Sequence, residues 1–117
     1  MLLAAGLVLA CSLAYGETSA QNSQQFSGVA SYYTEDCEGA MASGDHYDAK
    51  KFTAAHRTLP FGTRLLITDP MTHLSVEVTV NDRGPFTEGR VIDLSLAAAT
   101  ALRMTDRGLV AVTAAVQ

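Results

Sequence analysis

The sequence predicts a small all-β domain that closes into a barrel and carries one short helix. Three observations support this: several short segments rich in β-forming residues, one segment with strict apolar–polar alternation, and a single segment with helical spacing. The 117 residues suffice for one domain. A domain of this size buries only about 60–65% of the surface of its unfolded chain. Closing the sheet removes exposed edges, so a barrel is favoured over a layered α/β domain.

Charge and composition exclude two classes of protein. Eight Lys and Arg residues against twelve Asp and Glu residues give a net charge of −4 and a pI near 5.1. Nucleic-acid binding needs a cluster of cations, so we expect no nucleic acid as a partner. The hydrophobic content of 48% excludes intrinsic disorder for the chain beyond its first residues.

The first twenty residues predict export. Residues 1–16 are almost wholly apolar, and this run is shorter than the ~20 residues that a membrane-spanning helix needs. We interpret residues 1–20 as a signal peptide, with a buried N-terminal helix as the alternative. Cys11 follows Val8-Leu9-Ala10 and is a lipidation candidate, so it is either removed or lipid-modified. We expect a protein of the periplasm or cell envelope, with a linker at residues 21–25 and the domain at residues 26–117.

Four segments predict strands. Residues 26–33 are rich in β-formers, and residues 63–69 end at the Asp69-Pro70 turn. Residues 74–81 alternate apolar and polar side chains, which predicts one buried and one wet face. Residues 109–116 are largely apolar, so we expect this strand to be buried on both faces.

One segment predicts a helix. Residues 95–104 contain strong helix formers, with Leu96, Ala99 and Leu102 on one stripe. Asp93 and Ser95 are both plausible N-terminal caps for it.

Chemistry-bearing side chains concentrate in three loops, at residues 42–48, 53–62 and 81–86. Asp82 directly follows the clearest strand, where a rigid backbone can hold a catalytic group that substrate still reaches. It could equally hydrogen-bond within an Asp-Arg-Gly-Pro turn. Asp93 could be a helix cap, and His56 a structural histidine. Arg83, beside Asp82, is either a sugar ligand or a carboxylate partner.

Other polar and aromatic residues leave similar alternatives. Asp45 and His46 suggest a metal site, but the histidines have no known ligand spacing, so we expect no metal and no cofactor. Aromatic side chains of the same loops either stack on a sugar or belong to the core. The aromatic candidates for substrate binding are Tyr33, Tyr47 and Phe86.

Five sequence blocks occur together in a recognisable order. They are GVASYY at 28–33, ASGD at 42–45, TAAHRTLPFGT at 53–63, NDRGPF at 81–86 and GRVIDLSLAAA at 89–99. In this order the chain resembles the rare lipoprotein A (RlpA) family over most of its length. The resemblance implies a six-stranded double-psi β-barrel with one or two short helices. It also implies an exported lytic transglycosylase, a lyase that cuts peptidoglycan strands lacking stem peptides and leaves 1,6-anhydro ends.

The resemblance also implies roles for individual residues. The essential aspartate of the family falls on Asp82 and its important histidine on His56. Asp45 stands where glutamate is usual, which shortens the reach of the carboxyl group by one methylene. Asp93 matches an aspartate common in the family and is a rival for the main catalytic role. We hypothesise that Asp82 is the acid/base and that His56 orients the carboxyl pair by hydrogen bonding. Asp45 would be either the like-charged neighbour of Asp82 or a stabiliser of the oxocarbenium-like state.

A second hypothesis belongs to another functional class. The same barrel could be a non-catalytic, expansin-like module that binds glycan in the cell envelope. The aspartate at position 45, in place of glutamate, keeps this alternative open.

Overall fold

The computed structural model describes residues 24–37 and 39–117. The predicted signal peptide, with Cys11, lies outside these residues, as does most of the predicted linker. No helix of the described residues is long and apolar enough to span a membrane. The elements are β1 (Gln25–Tyr32), β2 (Thr53–Ala55), β3 (Arg64–Thr68), β4 (Ser75–Asp82), β5 (Arg90–Leu94), α1 (Leu96–Ala101) and β6 (Val110–Val116).

The six strands form a closed barrel in the order β1-β5-β2-β4-β3-β6. The pairs β1–β5 and β2–β4 are parallel, and the other neighbours are antiparallel. The predicted all-β barrel with a short helix is therefore confirmed.

Side chains alternate between the two faces of each strand, and the inward-facing ones fill the barrel interior. Val76, Val78 and Val80 of β4 point inward, while Ser75 and Glu77 are exposed. A similar alternation runs along β3, where Leu65 and Ile67 are buried and Arg64 and Leu66 are exposed. The helix α1 packs its buried Ala98 and Ala99 against this core. The largest side chains that are fully buried are Leu65, Ile67, Ile92, Leu94, Leu102 and Met104.

Three predictions differ from the structure. The strand β6 is not buried on both faces, because Val110, Val112 and Ala114 point inward while Ala111 and Thr113 are exposed. Two short strands, β2 and β5, have no clear sequence signal, since three to five residues are too few to show a period. The helix is also shorter than predicted and ends at Ala101.

The N-terminal cap of α1 is Ser95, whose side chain accepts a hydrogen bond from the Ala98 amide. The alternative assignment of Asp93 as cap is wrong, because Asp93 lies inside β5. It pairs there with Ser31 of β1 and Ala55 of β2.

Gly28 permits close contact between β1 and β5. A Cβ atom at this position would overlap the side chain of Val91. The β1–β5 register skips Val91, since Val29 pairs with Arg90 and Ala30 with Ile92. The absence of a side chain at Gly28 leaves room for the side chain of this unpaired residue.

The strands β5, β2 and β4 bring two carboxyl groups alongside one residue. Ala55 of β2 pairs with Asp93 on one side and with Asp82 on the other. The β2–β4 register also skips a residue, because Val80 pairs with Ala54 and Asp82 with Ala55. Asn81 is therefore the extra residue of a bulge, a feature that often redirects side chains near functional sites.

Candidate active site

The carboxylate of Asp82 is held by two neutral hydrogen-bond donors. The Tyr33 hydroxyl donates to Oδ2 at 2.6 Å, and the backbone amide of Ala42 donates to Oδ1 at 2.8 Å. Asp82 is partly exposed at the end of β4. The structure thus fixes the orientation of this carboxyl group while leaving it within reach of solvent.

Tyr33 remains a hydrogen-bond donor over the whole physiological pH range. Burial, with the hydrogen bond to Asp82 and its negative charge, raises the pKa of Tyr33 far above its ordinary value. Its ring meets Tyr47 edge-on, with 5.3 Å between ring centroids. The Tyr47 hydroxyl accepts a hydrogen bond from the Leu96 amide at the start of α1. These contacts give both tyrosines a supporting role around Asp82, alongside the predicted contact with substrate.

Asp93 has a different set of partners. Its Oδ1 accepts hydrogen bonds from the Ser31 hydroxyl and from Arg90, whose Nη2 lies 3.0 Å away. The Arg90–Asp93 pair is an ion pair in which the Asp93 side chain is 14% exposed. Because Ser31 belongs to β1, this cluster ties the parallel strands β1 and β5 together.

Asp45 lies on a loop attached to the end of β4. The Ser43 amide donates to the Asn81 carbonyl at 3.1 Å, one residue after Ala42 contacts Asp82. A further bond from the Met41 amide to the Asp45 carbonyl, at 2.6 Å, closes the loop. Asp45 itself is exposed, and its carboxylate has no hydrogen-bond partner among the described residues. The structure therefore places Asp45 on the same side of the barrel as Asp82.

An open cleft of about 530 Å³ runs beside this loop. Its lining includes Asp45, Tyr47 and Asp48 from the loop, Lys51, and Asn81 from the bulge in β4. The cleft is polar and wide enough to hold part of an extended ligand.

His56 contacts Asp82 through its backbone. Its amide donates to the Asp82 carbonyl oxygen at 3.1 Å. The ring Nδ1 accepts hydrogen bonds from the amides of Thr58 at 3.2 Å and Leu59 at 3.1 Å, and the ring centroid lies 5.0 Å from that of Phe26. Within the described residues its side chain forms no hydrogen bond with Asp82 or Asp45. The expected side-chain orientation of the carboxyl pair is therefore not seen.

The pKa of His56 is lowered, first by burial and then by the charges of Arg57 and Arg83. The imidazole is consequently neutral near pH 7, with its proton on Nε2 because Nδ1 accepts two hydrogen bonds. The neutral ring holds the loop after β2 through its hydrogen bonds from the Thr58 and Leu59 amides.

Arg83 holds the same loop from the other side. Its Nη1 donates to the carbonyl oxygens of Leu59 at 2.8 Å and His56 at 3.2 Å, and the guanidinium lies 4.0 Å from the centroid of Phe61. These contacts engage Nη1 and one face of the guanidinium group, and sugar binding by Arg83 stays a prediction. Phe86, in contrast, is 78% exposed four residues beyond Asp82 and is free to contact a ligand.

Two features of the site had no clear sequence signal. The Ala42 amide is a backbone donor that any residue other than proline would supply. Tyr33 was identified as a candidate sugar platform, yet nothing in the spacing pairs it with Asp82, 49 residues away.

In residues 24–37 and 39–117, no group of three or more His, Cys, Asp or Glu side chains is arranged to hold a metal ion.

The closed barrel, with two parallel strand pairs and carboxyl groups at its strand ends, is a double-psi β-barrel. A family model described as "Lytic transglycolase" matches residues 25–114. The chain belongs to this family, which agrees with the resemblance found in its motifs.

Curated relatives carry the RlpA name. The endolytic peptidoglycan transglycosylase RlpA of Haemophilus influenzae is 48% identical over 83 residues, which is 70% of this chain and 29% of that protein. A probable RlpA of Nostoc sp. is 48% identical over 87 residues, covering 72% of this chain and 24% of the relative. The chain thus spans about a quarter to a third of the length of these relatives.

Solved structures share the barrel. The Streptomyces papain inhibitor is 28% identical with a TM-score of 0.64, and the match covers 79% of this chain and 93% of that one. An expansin of Clavibacter michiganensis is 23% identical with a TM-score of 0.63, covering 80% of this chain and 50% of the expansin. The likeness to the expansin concerns the fold alone.

Proposed function

We propose that the protein is a lytic transglycosylase that cleaves the β-1,4 bond between N-acetylmuramic acid and N-acetylglucosamine in peptidoglycan. The observation that carries this proposal is the geometry of Asp82. It is a reachable carboxyl group at a strand end, held by two neutral donors, in a member of the lytic transglycolase family. Such a group can release and take up a proton without leaving its position.

The first step breaks the glycosidic bond. The proton of Asp82 passes to the glycosidic oxygen, the C1–O bond breaks, and N-acetylglucosamine leaves with a free 4-hydroxyl. The muramyl ring is left with positive charge shared between C1 and the ring oxygen. Asp45, an exposed carboxylate on the adjacent loop, supplies negative charge that stabilises this state.

The second step closes a ring. The C6 hydroxyl of the muramyl residue attacks C1, and the Asp82 carboxylate accepts the hydroxyl proton. The product is a 1,6-anhydro ring, water is not consumed, and Asp82 returns to its protonated form. One carboxyl group thus serves both steps, whereas hydrolysis generally uses two at a fixed separation.

The substrate and the cellular site are part of the same proposal. We infer that the substrate is a glycan strand that lacks stem peptides, as the RlpA resemblance implies. The exposed ring of Phe86 would be a surface for sugar stacking. We also infer export to the periplasm or cell envelope from residues 1–20. Cys11 remains the candidate for a lipid anchor.

Product analysis tests this proposal. Purified protein is incubated with amidase-treated peptidoglycan, and mass spectrometry detects 1,6-anhydromuramyl ends. We expect these ends with the wild type and their loss with Asp82→Asn, which keeps the size of the side chain. Asp45→Glu, which restores the carboxyl reach usual in the family, is expected to raise activity. A protein that pellets with the glycan and forms no anhydro ends would instead be the non-catalytic binding module.

A further inference from the structure

We propose that Asn81 binds the acetamido group of an N-acetylglucosamine unit in the cleft beside Asp45. This inference rests on the proposed function and adds a residue that selects an N-acetylated glycan. It starts from a polar side chain that the structure buries and leaves partly unpaired.

Asn81 is the bulged residue of β4 and is only 9% exposed. Its backbone carbonyl accepts a hydrogen bond from the Ser43 amide, which attaches the loop beside it. Its Oδ1 atom has no hydrogen-bond partner among the described residues, yet Asn81 lines the cleft. A buried polar atom without a partner costs free energy, so a ligand that supplies the partner gains affinity.

The charges around Asn81 favour a neutral ligand. Asp45 and Asp48 line the cleft together with one cation, Lys51. Because the carboxylates outnumber the ammonium group, we expect the lactyl carboxylate of the adjacent muramyl residue to point away from this part of the cleft. An N-acetylglucosamine unit carries no charge and fits this electrostatic environment.

The chemistry of the two groups is complementary. A side-chain amide offers one carbonyl acceptor and two N–H donors. An acetamido group offers an N–H to Oδ1 and a carbonyl oxygen to Nδ2, so both can pair reciprocally. A glucose unit has only a hydroxyl at the same carbon and cannot form this planar pair. Asn81 would therefore discriminate N-acetylglucosamine chains from glucose chains.

The test compares two hexasaccharides that differ only in this group. Chitohexaose and cellohexaose are titrated into the full chain, and dissociation constants are measured by NMR or calorimetry. We expect the wild type to prefer chitohexaose by about tenfold or more. Asn81→Leu, of similar size and without polar atoms, is expected to reduce this ratio to about one.

Two further variants keep the test decisive. Lys51→Met is the matched control in the same cleft, and we expect it to leave the ratio unchanged. Asn81→Asp keeps an acceptor but loses the donors, so it is also expected to lose the preference, and it replaces Asn81→Leu if that variant fails to fold. A preference that survives both Asn81 substitutions, or that depends on Lys51 instead, overturns the proposal.

The outcome is separable from that of the proposed function. Anhydro products report cleavage, whereas the affinity ratio reports acetamido binding. A wild type that forms no anhydro ends but shows an Asn81-dependent ratio refutes the transglycosylase and supports the site. A wild type that forms them, with an unchanged ratio in the Asn81 variants, refutes the site alone.

Discussion

Asp82 and Asp93 pair with the same residue, Ala55, from opposite sides, yet their surroundings differ in one respect. Asp82 accepts hydrogen bonds from a hydroxyl and a backbone amide, whereas Asp93 is joined to the guanidinium of Arg90. A carboxylate with a contacting cation is part of a structural ion pair, and protonation would break that pair. Asp82 has no contacting cation among the described residues, so its oxygens are not part of an ion pair.

The comparison favours Asp82 over Asp93 as the acid/base. Asp69 extends this comparison, because it is a second aspartate with a cation partner, Arg107, at 2.7 Å. Asp93 and Asp69 each join two parts of the barrel through an ion pair, whereas Asp82 forms no ion pair among the described residues. Four predictions test this division.

The largest effect is expected when Asp82 and Asp93 are changed in the same way. Asp82→Asn is expected to reduce the rate of anhydro-product formation by about 10²- to 10⁴-fold, because a general acid/base is lost. Asp93→Asn is expected to lower thermal stability and to keep activity within about tenfold. The measurement is product formation together with thermal unfolding of both variants. The opposite pattern would reverse the assignment of the two aspartates.

The second prediction concerns stability at Asp69. Its side chain is fully buried, accepts a hydrogen bond from the Met71 amide at 2.8 Å and pairs with Arg107. Asp69→Asn is expected to lower the free energy of unfolding by about 2 kcal/mol at pH 7, because it weakens a partly buried ion pair. Chemical denaturation measures this change, and Asp106→Asn, an exposed neighbour of Arg107, is the control.

The Asp69 effect also has a defined pH dependence. The hydrogen bond from Arg107 is the main cause that lowers the pKa of Asp69 below its ordinary value of 3.8. The unfolded chain therefore binds the proton first as the pH falls, so the stabilisation is complete above that value and is lost below it. The difference between wild type and Asp69→Asn should shrink below about pH 4. A constant difference down to pH 2 would contradict this cause.

The third prediction tests the neutral donor of Asp82. Tyr33→Phe removes the hydroxyl that lies 2.6 Å from Oδ2 and keeps the ring packed against Tyr47. We expect product formation to fall about tenfold, the cost of about one hydrogen bond to a charged group. Tyr32→Phe is the matched control, because its hydroxyl bonds the Thr105 carbonyl away from Asp82. Equal losses in both variants would show that the effect is structural.

The smallest effect is expected at His56. Burial lowers the pKa of His56 below its ordinary value of 6.5, so the unfolded chain takes up a proton before the folded chain does. Stability from the neutral ring is complete above about pH 6.5 and declines as the pH falls through that value. We expect a loss of less than about 1 kcal/mol between pH 8 and 5.5. His56→Asn keeps an acceptor for the Thr58 and Leu59 amides without titrating, so its stability should not change over this interval.

The fold was largely predictable from local patterns. The alternation in β4 and the β-rich run of β1 each predicted a strand within one or two residues of its bounds. Asp82 and Asp45 could be proposed because they lie in motif-bearing loops. The strands β2 and β5 were missed because such short strands depend on pairing with adjacent strands, which the local sequence does not show.

The contacts of the site could not be predicted for a related reason. The Tyr33–Asp82 bond, the Arg90–Asp93–Ser31 cluster and the bulge at Asn81 all depend on register between distant strands. Composition and spacing carry no information about register. The contacts of Arg83 and His56 were also unpredictable, because both side chains bind backbone groups of one loop and sequence does not show such contacts.

The loop at residues 41–45 is attached through its backbone, which affects which substitutions the site can accept during evolution. The amides of Ala42 and Ser43 hold the loop to Asp82 and Asn81, and every residue except proline supplies such an amide. Mutation can therefore replace side chains along the loop while its path over the barrel stays the same. The side chains of the cleft can therefore change by single substitutions while Asp82 keeps its hydrogen bond from the Ala42 amide.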